Sequence, residues 1–233
     1  MSRFLQALKD RANQGFVPVI PDIKRISPKE GPLFVQRDPV DAAVMLAKAG
    51  APVLSVVTEE THFGGSLKLL RDIAEVTGLP VLRKDFIQST KDIEETAALG
   101  AAAVLLICAS MEEGLLRKCY AAALDLGLEP LVEAHTQEEL RLAADLHSRL
   151  FGINNRDILN LEKDSGTVGR TSELAKLKPS GSFLVSESGI QSTEDVRLAI
   201  QSGADAVLVG TAIWQAWDPA AFYLDLCRAG EAL

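Results

Sequence analysis

Short, mainly apolar runs recur along the chain at 17–23, 53–57, 80–83, 104–107, 131–133, 150–153, 183–185 and 206–209. They are separated by longer stretches in which apolar residues return every three or four positions, the spacing of a helix that buries one face. Runs without polar alternation suit strands covered on both sides, as in a parallel sheet flanked by helices. The helix boundaries are marked. Residues 2–13 put Phe4, Leu5 and Leu8 on one face and break at Gly15. Asp38-Pro39-Val40-Asp41 combines an N-cap, a first-turn proline and an acid at N3, and that helix ends at Gly50. Ser89 to Asp92 forms a capping-box pattern ahead of a helix closing at Gly100, and Thr136 to Glu139 caps another. Further helices are expected at 66–77, 111–126, 171–177, 193–202 and 218–229, with a short one opening at Gly210-Thr211. Prolines and Gly31 in 25–34 exclude regular structure there, and 157–168 reads as an irregular acidic loop.

Eight strands alternating with eight helices in 233 residues predict one (β/α)8 barrel, a TIM barrel, with a short N-terminal helix; ~250 residues is typical of that fold. The α/β domain spans 1–233 without a linker. An internal echo supports it: Gly50-Ala-Pro-Val-Leu, Gly100-Ala-Ala-Ala-Val-Leu and Gly203-Ala-Asp-Ala-Val-Leu repeat one helix-end, turn and strand-start. A doubly wound open sheet would have fewer strands or a GxGxxG after the first, and neither is found.

Composition narrows the class. Aromatics are 5% of the chain against 47% hydrophobic, so the core is aliphatic. A net charge of -8 without a basic run argues against nucleic acid, yet leaves room for a small anion held by a few cations. No apolar run reaches membrane-spanning length, and the amphipathic start is not a signal peptide, so a cytoplasmic monomer is expected. Cys108, Cys119 and Cys227 form no CxxC pair and read as buried free thiols, Cys108 as structural. His62, His135 and His147 lack metal-ligand spacing, so no metal is expected. Trp214 and Trp217 are expected to pack internally.

The strands end in polar residues: Asp22 and Lys24, Lys84, Glu133, Asn154, then Glu187 and Ser188. In such barrels the loops after the strands form the active face, so these side chains are expected to converge at the mouth. Arg83-Lys84-Asp85-Phe86 would bring two cations, an anion and a ring to that face. A lysine near other cations has a lowered pKa and a carboxylate in an apolar pocket a raised one, which suits proton transfer. Lys84 would protonate a carbonyl oxygen and Glu133 would take or return a proton, with Phe63, Phe86 and Leu105 or Leu106 as an apolar wall. Ser188-Gly189-Ile190 and Gly210-Thr211-Ala212, after the last two strands, suit a phosphate.

Pro80-Val-Leu-Arg-Lys-Asp-Phe86, Leu131-Val-Glu-Ala-His135, Gly152-Ile-Asn-Asn-Arg-Asp157 and Val185-Ser-Glu-Ser-Gly-Ile190, in this order and spacing, resemble indole-3-glycerol phosphate synthases. Ile23-Lys24 with Ser27-Pro28 resembles that family's first-strand motif. The resemblance implies a (β/α)8 carboxy-lyase of tryptophan biosynthesis, a decarboxylase needing no cofactor. It would convert 1-(2-carboxyphenylamino)-1-deoxyribulose 5-phosphate to indole-3-glycerol phosphate. Lys84 would then be the general acid, Lys24 would hold the substrate carboxylate, and Glu133 would act in dehydration. Asn154, Glu187 and Ser188 would orient substrate, Gly189, Gly210 and Thr211 bind phosphate, and Phe63 and Phe86 flank the ring. Three departures stand out. Asp22 occupies a family Glu position, Lys29-Glu30-Gly31 replaces Ser-Lys-Gly, and only 16 residues precede the first strand where the family has a longer segment over the mouth. The alternatives are a paralogue handling a related phosphorylated ligand and a sugar-phosphate isomerase on the same barrel.

Overall fold

A computed structural model of the chain describes residues 2–35, 37–157 and 167–230. Eight parallel strands close into a barrel, each hydrogen-bonded to the next in chain order and the last to the first. They are β1 (Val19–Ile23), β2 (Leu54–Val57), β3 (Val81–Lys84), β4 (Ala103–Ile107), β5 (Glu129–Ala134), β6 (Leu150–Asn154), β7 (Phe183–Glu187) and β8 (Ala206–Val209). Every residue in these strands is buried, because side chains on one face fill the barrel and those on the other meet the helices. The period of two sorts them. Leu82, Leu105, Leu131, Val185 and Leu208 point inward, whereas Val81, Val104, Leu106, Val132, Leu184 and Val207 pack outward.

The caps read from the sequence form. Asp38 accepts hydrogen bonds from the amides of Val40 and Asp41 and starts the helix Pro39–Lys48. Ser89 and Asp92 make a reciprocal capping box on Thr90–Ala98. Most predicted elements lie within one or two residues of their expected bounds, except that the helix expected at 171–177 runs Gly169–Leu174 and passes into a 3-10 turn, Ala175–Leu177. The span 157–168 falls largely outside the described residues.

Two expectations are corrected. The 25–34 loop is not free of regular structure: Ile26–Ser27 and Gly31–Pro32 pair as a small antiparallel ribbon. Gly31 turns the chain at φ 78°, and the Ser27 hydroxyl accepts from the Glu30 amide, so the residues that break longer elements close this one. Trp214 is buried and donates Nε1–H to the Asp22 carbonyl at 2.7 Å, but Trp217 is 97% exposed, standing between two short helices that leave it nothing to pack on.

The N-terminal helix Arg3–Asn13 lies under the barrel, at the end opposite the strand termini that carry the candidate chemistry. Phe4, Leu5 and Leu8 join the interior cluster with Ile20, Val53, Leu150 and Phe183. Its cap residue Ser2 donates to Glu129 at the start of β5, and Arg3 donates to the Gly100 carbonyl in the turn before β4. The buried Glu129 is also held by Arg149 at 3.1 Å. This helix plugs the floor and does not roof the mouth.

Candidate active site

Strand periodicity decides which motif residues reach the mouth. On β3, Lys84 follows Leu82 inward, while Arg83 faces the helices. The Arg83 guanidinium donates to Asp85, Glu95, Thr96 and the Asp92 carbonyl. Asp85 in turn accepts from Thr58 and from the Phe86 amide. Lys84, Asp85 and Phe86 of that motif therefore reach the mouth, Asp85 also holding Arg83, while Arg83 itself clamps the strand end to the following helix, which corrects the expectation that all four surface together. The Asn154-Asn155 pair divides likewise. Asn155 faces outward and its amide donates to Ser186, Glu187 and Ser188, while its oxygen accepts from Thr171. That grip holds Ser188 at φ 62° and Gly189 at φ 73°, two successive left-handed residues. Strain of this kind in a non-glycine residue persists only where its surroundings enforce it.

Two adjoining cavities open at the mouth. The larger, about 220 Å³, is lined by the charged residues Asp22, Lys24, Glu30, Lys84 and Arg156 and by the small or polar residues Ser188, Gly189, Gly210 and Thr211. The smaller, about 20 Å³, has Phe63, Phe86, Val57, Leu105 and Ile107 around it. Lys24 and Lys84 line both. Lys24 Nζ stands 5.7 Å from the Phe63 ring centroid, within cation–π range. Phe63 is placed by Glu59, which accepts from the amides of Thr61, His62 and Phe63. Burial works to raise the Glu59 carboxyl, but these hydrogen bonds and the His62 ring outweigh it and hold it below the usual range. Leu105 faces this pocket and Leu106 the helices, which settles the choice between them.

Glu133, Asn154 and Glu187 line neither cavity; all three are fully buried on the inward side of β5, β6 and β7. The Asn154 oxygen accepts from the Arg156 amide, while its Nδ2 has no hydrogen-bond partner among the described residues. A buried amide without a partner would cost about 1–3 kcal/mol, so Nδ2 is open to a ligand or a water. Asp22 is fixed by the Ser55 hydroxyl on the adjacent strand, 2.6 Å from Oδ1. Gly210 packs beside it, where an added Cβ would sit 3.3 Å from the Asp22 Cβ.

Four positions escaped the sequence reading. Arg156 is on the cavity wall two residues beyond Asn154, a spacing that was available to be read. Ser55 pairs in register with Asp22 and carries no local signal, while Glu30 reaches the cavity from the ribbon turn, in the Lys29-Glu30-Gly31 stretch noted above without a role for its side chain. At Gly152 a Cβ would stand 1.9 Å from Glu187 Oε1, so this inward position is empty to admit a carboxylate from β7.

The comparisons with known proteins bear on this geometry. The family model for indole-3-glycerol phosphate synthase matches residues 1–226. The chain belongs to the indole-3-glycerol phosphate synthase family. Proteins of that name from Thermococcus kodakarensis and Pyrococcus furiosus are each 45% identical to it, covering 88% and 87% of this chain and 89% and 88% of their own. Another from Kineococcus radiotolerans is 41% identical over 96% of this chain and 81% of its own. A solved thiamine phosphate pyrophosphorylase from Pyrococcus furiosus superposes with a TM-score of 0.65 at 15% identity, covering 93% of this chain and 96% of that one, and shares the fold alone. The indole-3-glycerol phosphate synthase reaction is therefore this chain's: ring closure and decarboxylation in tryptophan biosynthesis by a carboxy-lyase acting on a small phosphorylated substrate. The sugar-phosphate isomerase and the non-catalytic paralogue are set aside. Among the described residues no helix is long and apolar enough to cross a membrane.

Proposed function

We propose that Lys84 is the general acid of this synthase and that Lys24, Asp22, Glu133, Asn154, Glu187 and Ser188 complete its catalytic group. One observation carries the reading: Lys24 and Lys84 stand where a polar cavity ending in Gly189, Gly210 and Thr211 meets an aromatic pocket made by Phe63 and Phe86. The substrate has the same polarity, with a phosphate at one end, a carboxylated ring at the other and a ketone between. The phosphate lies against Gly189, Gly210 and Thr211, where small residues let the backbone approach and a helix start favours an anion. The ring lies between Phe63 and Phe86.

The ring carbon bearing the carboxylate attacks the ketone carbon, forming the carbon–carbon bond as Lys84 gives a proton to the ketone oxygen. Lys24 holds the ring carboxylate during attack. The carboxylate then leaves as carbon dioxide, and its bonding pair restores the aromatic ring. Loss of the new hydroxyl as water, with Glu133 moving the proton, completes the indole. Asn154, Glu187 and Ser188 orient the hydroxyl-bearing chain, Asn154 through Nδ2, and Asp22 orients Lys24. Each step is positioning plus charge stabilisation in a partly dry mouth, with no metal or organic cofactor called for. The enzyme works as a single barrel domain and a monomer without nucleic-acid or membrane partners, and its three buried free cysteines suit the reducing cytoplasm.

The test is Lys84→Ala, assayed by indole-glycerol phosphate fluorescence in EDTA. The expected loss is about 10²–10⁴-fold, the range of a missing general acid, with the unfolding transition retained. A folded variant turning over near the native rate would remove Lys84 from its role.

A further inference from the structure

His135 takes no part in the steps above, yet it is the first residue after β5 and two positions beyond Glu133. Its ring is 10% exposed, with Nε2 3.5 Å from Glu133 Oε1 and Nδ1 3.5 Å from Glu139 Oε2. The two carboxylates differ in surroundings. Glu133 is fully buried, while Glu139, in the first turn of the helix Gln137–Asp145, is 21% exposed. Glu139 is itself fixed. Its Oε2 accepts the His135 amide at 2.6 Å and its own amide donates to the Thr136 hydroxyl at 3.2 Å. Burial works to raise the Glu139 carboxyl, but the His135 ring and amide outweigh it and hold the acid ionised below the usual range.

A carboxylate, an imidazole and a second carboxylate thus run in line from the barrel interior towards water. We propose that His135, held by Glu139, is a positioning residue that orients the Glu133 carboxylate for the dehydration step. This rests on the role given to Glu133 above. A wholly buried carboxylate that must take and release a proton in each turnover needs a partner that steadies its charge. An imidazole set 3.5 Å from each of two carboxylates is placed to do so. Other titratable groups near the ring are Cys108, whose Sγ lies 3.9 Å from the Glu139 carbonyl, and Arg170 and Glu173, which line the outer groove beside His135. Cys108 stays a neutral thiol, since burial and the charges of Glu139 and Glu133 push it up to about 12. Arg170 is committed to the carbonyls of Asn154 and Arg156.

Without the ring Glu133 is less well oriented, so the chemical step slows while substrate binding is kept. The experiment compares Glu133→Gln, His135→Gln and Glu139→Gln for single-turnover rate and for KM. His135→Gln is expected to be at least tenfold slower at neutral pH, with KM within about twofold. Glu139→Gln keeps an oxygen to accept the His135 amide, so it folds even if the histidine variant does not, and it should slow the same step with KM likewise kept. A native rate in both variants, with Glu133→Gln inactive, would overturn the inference and leave the proposed mechanism standing. An active Glu133→Gln would overturn the mechanism itself, and this inference with it.

Discussion

Gly152→Ala turns one hydrogen into a methyl group at the tightest point of the barrel interior. The new Cβ would stand 1.9 Å from Glu187 Oε1, and since real Cβ atoms come no closer than 3.0 Å, the carboxylate must withdraw by more than 1 Å. Leu131 Cδ1, at 3.5 Å, is in ordinary contact, so the strain falls on the carboxylate. A misplacement of about 1 Å costs on the order of 100-fold in rate, or about 2.7 kcal/mol in the barrier. Overpacking a core adds roughly 1–3 kcal/mol of destabilisation. The measurements are kcat by product fluorescence and the unfolding midpoint, on Gly152→Ala, Glu187→Asp and the double variant. Aspartate retracts the carboxylate by one bond, about 1.5 Å, and so makes room for the methyl. The double variant should therefore lose much less than the two single losses multiplied, a coupling of about 0.5–3 kcal/mol. A Gly152→Ala enzyme within threefold of native, or losses that simply multiply, would refute the steric account.

Asp22→Glu should slow turnover by roughly 10–100-fold in the same assay, because the longer acid overshoots the Ser55 hydroxyl at 2.6 Å and crowds Gly210; a faster enzyme would mean the shorter acid is a defect. Alkali should destabilise the fold from about pH 9 upward. The Cys108 thiol is pushed up to about 12 by burial and the neighbouring Glu139 and Glu133, with Tyr223 and Cys227 also raised, so the unfolded chain releases these protons first and stability falls as pH rises. A denaturation midpoint that rises between pH 8 and 10, or rapid labelling of native Cys108 at pH 8, would contradict this.

The barrel was legible because its signals are local. Each apolar run is a strand length, each cap sits a fixed distance from its helix, and Gly50, Gly100 and Gly203 mark the same turn. The strand ends also exposed the candidate chemistry, since an apolar run that stops at Lys84 or Glu133 announces where water or ligand begins. What stayed hidden depends on pairs brought together by closure. Nothing near Gly152 says that Glu187 needs its space, and nothing near Ser55 says that Asp22 is its partner in register. Arg83 and Lys84 look equivalent in a motif, and only the strand's two-residue period sends them to opposite faces. Trp217 looked like core because tryptophan usually is; its exposure comes from the brevity of the helices on either side.

The plug under the barrel has a consequence for how such a protein changes over generations. Ser2, Phe4, Leu5, Leu8 and Glu129 hold the floor, while the cavities and their lysines lie at the far rim. Selection for durability and selection for catalytic speed therefore act on separate sets of positions. A lineage moving to a hotter or colder habitat can retune the floor one substitution at a time without disturbing the rim, and the rim can explore new chemistry while the floor keeps the chain folded.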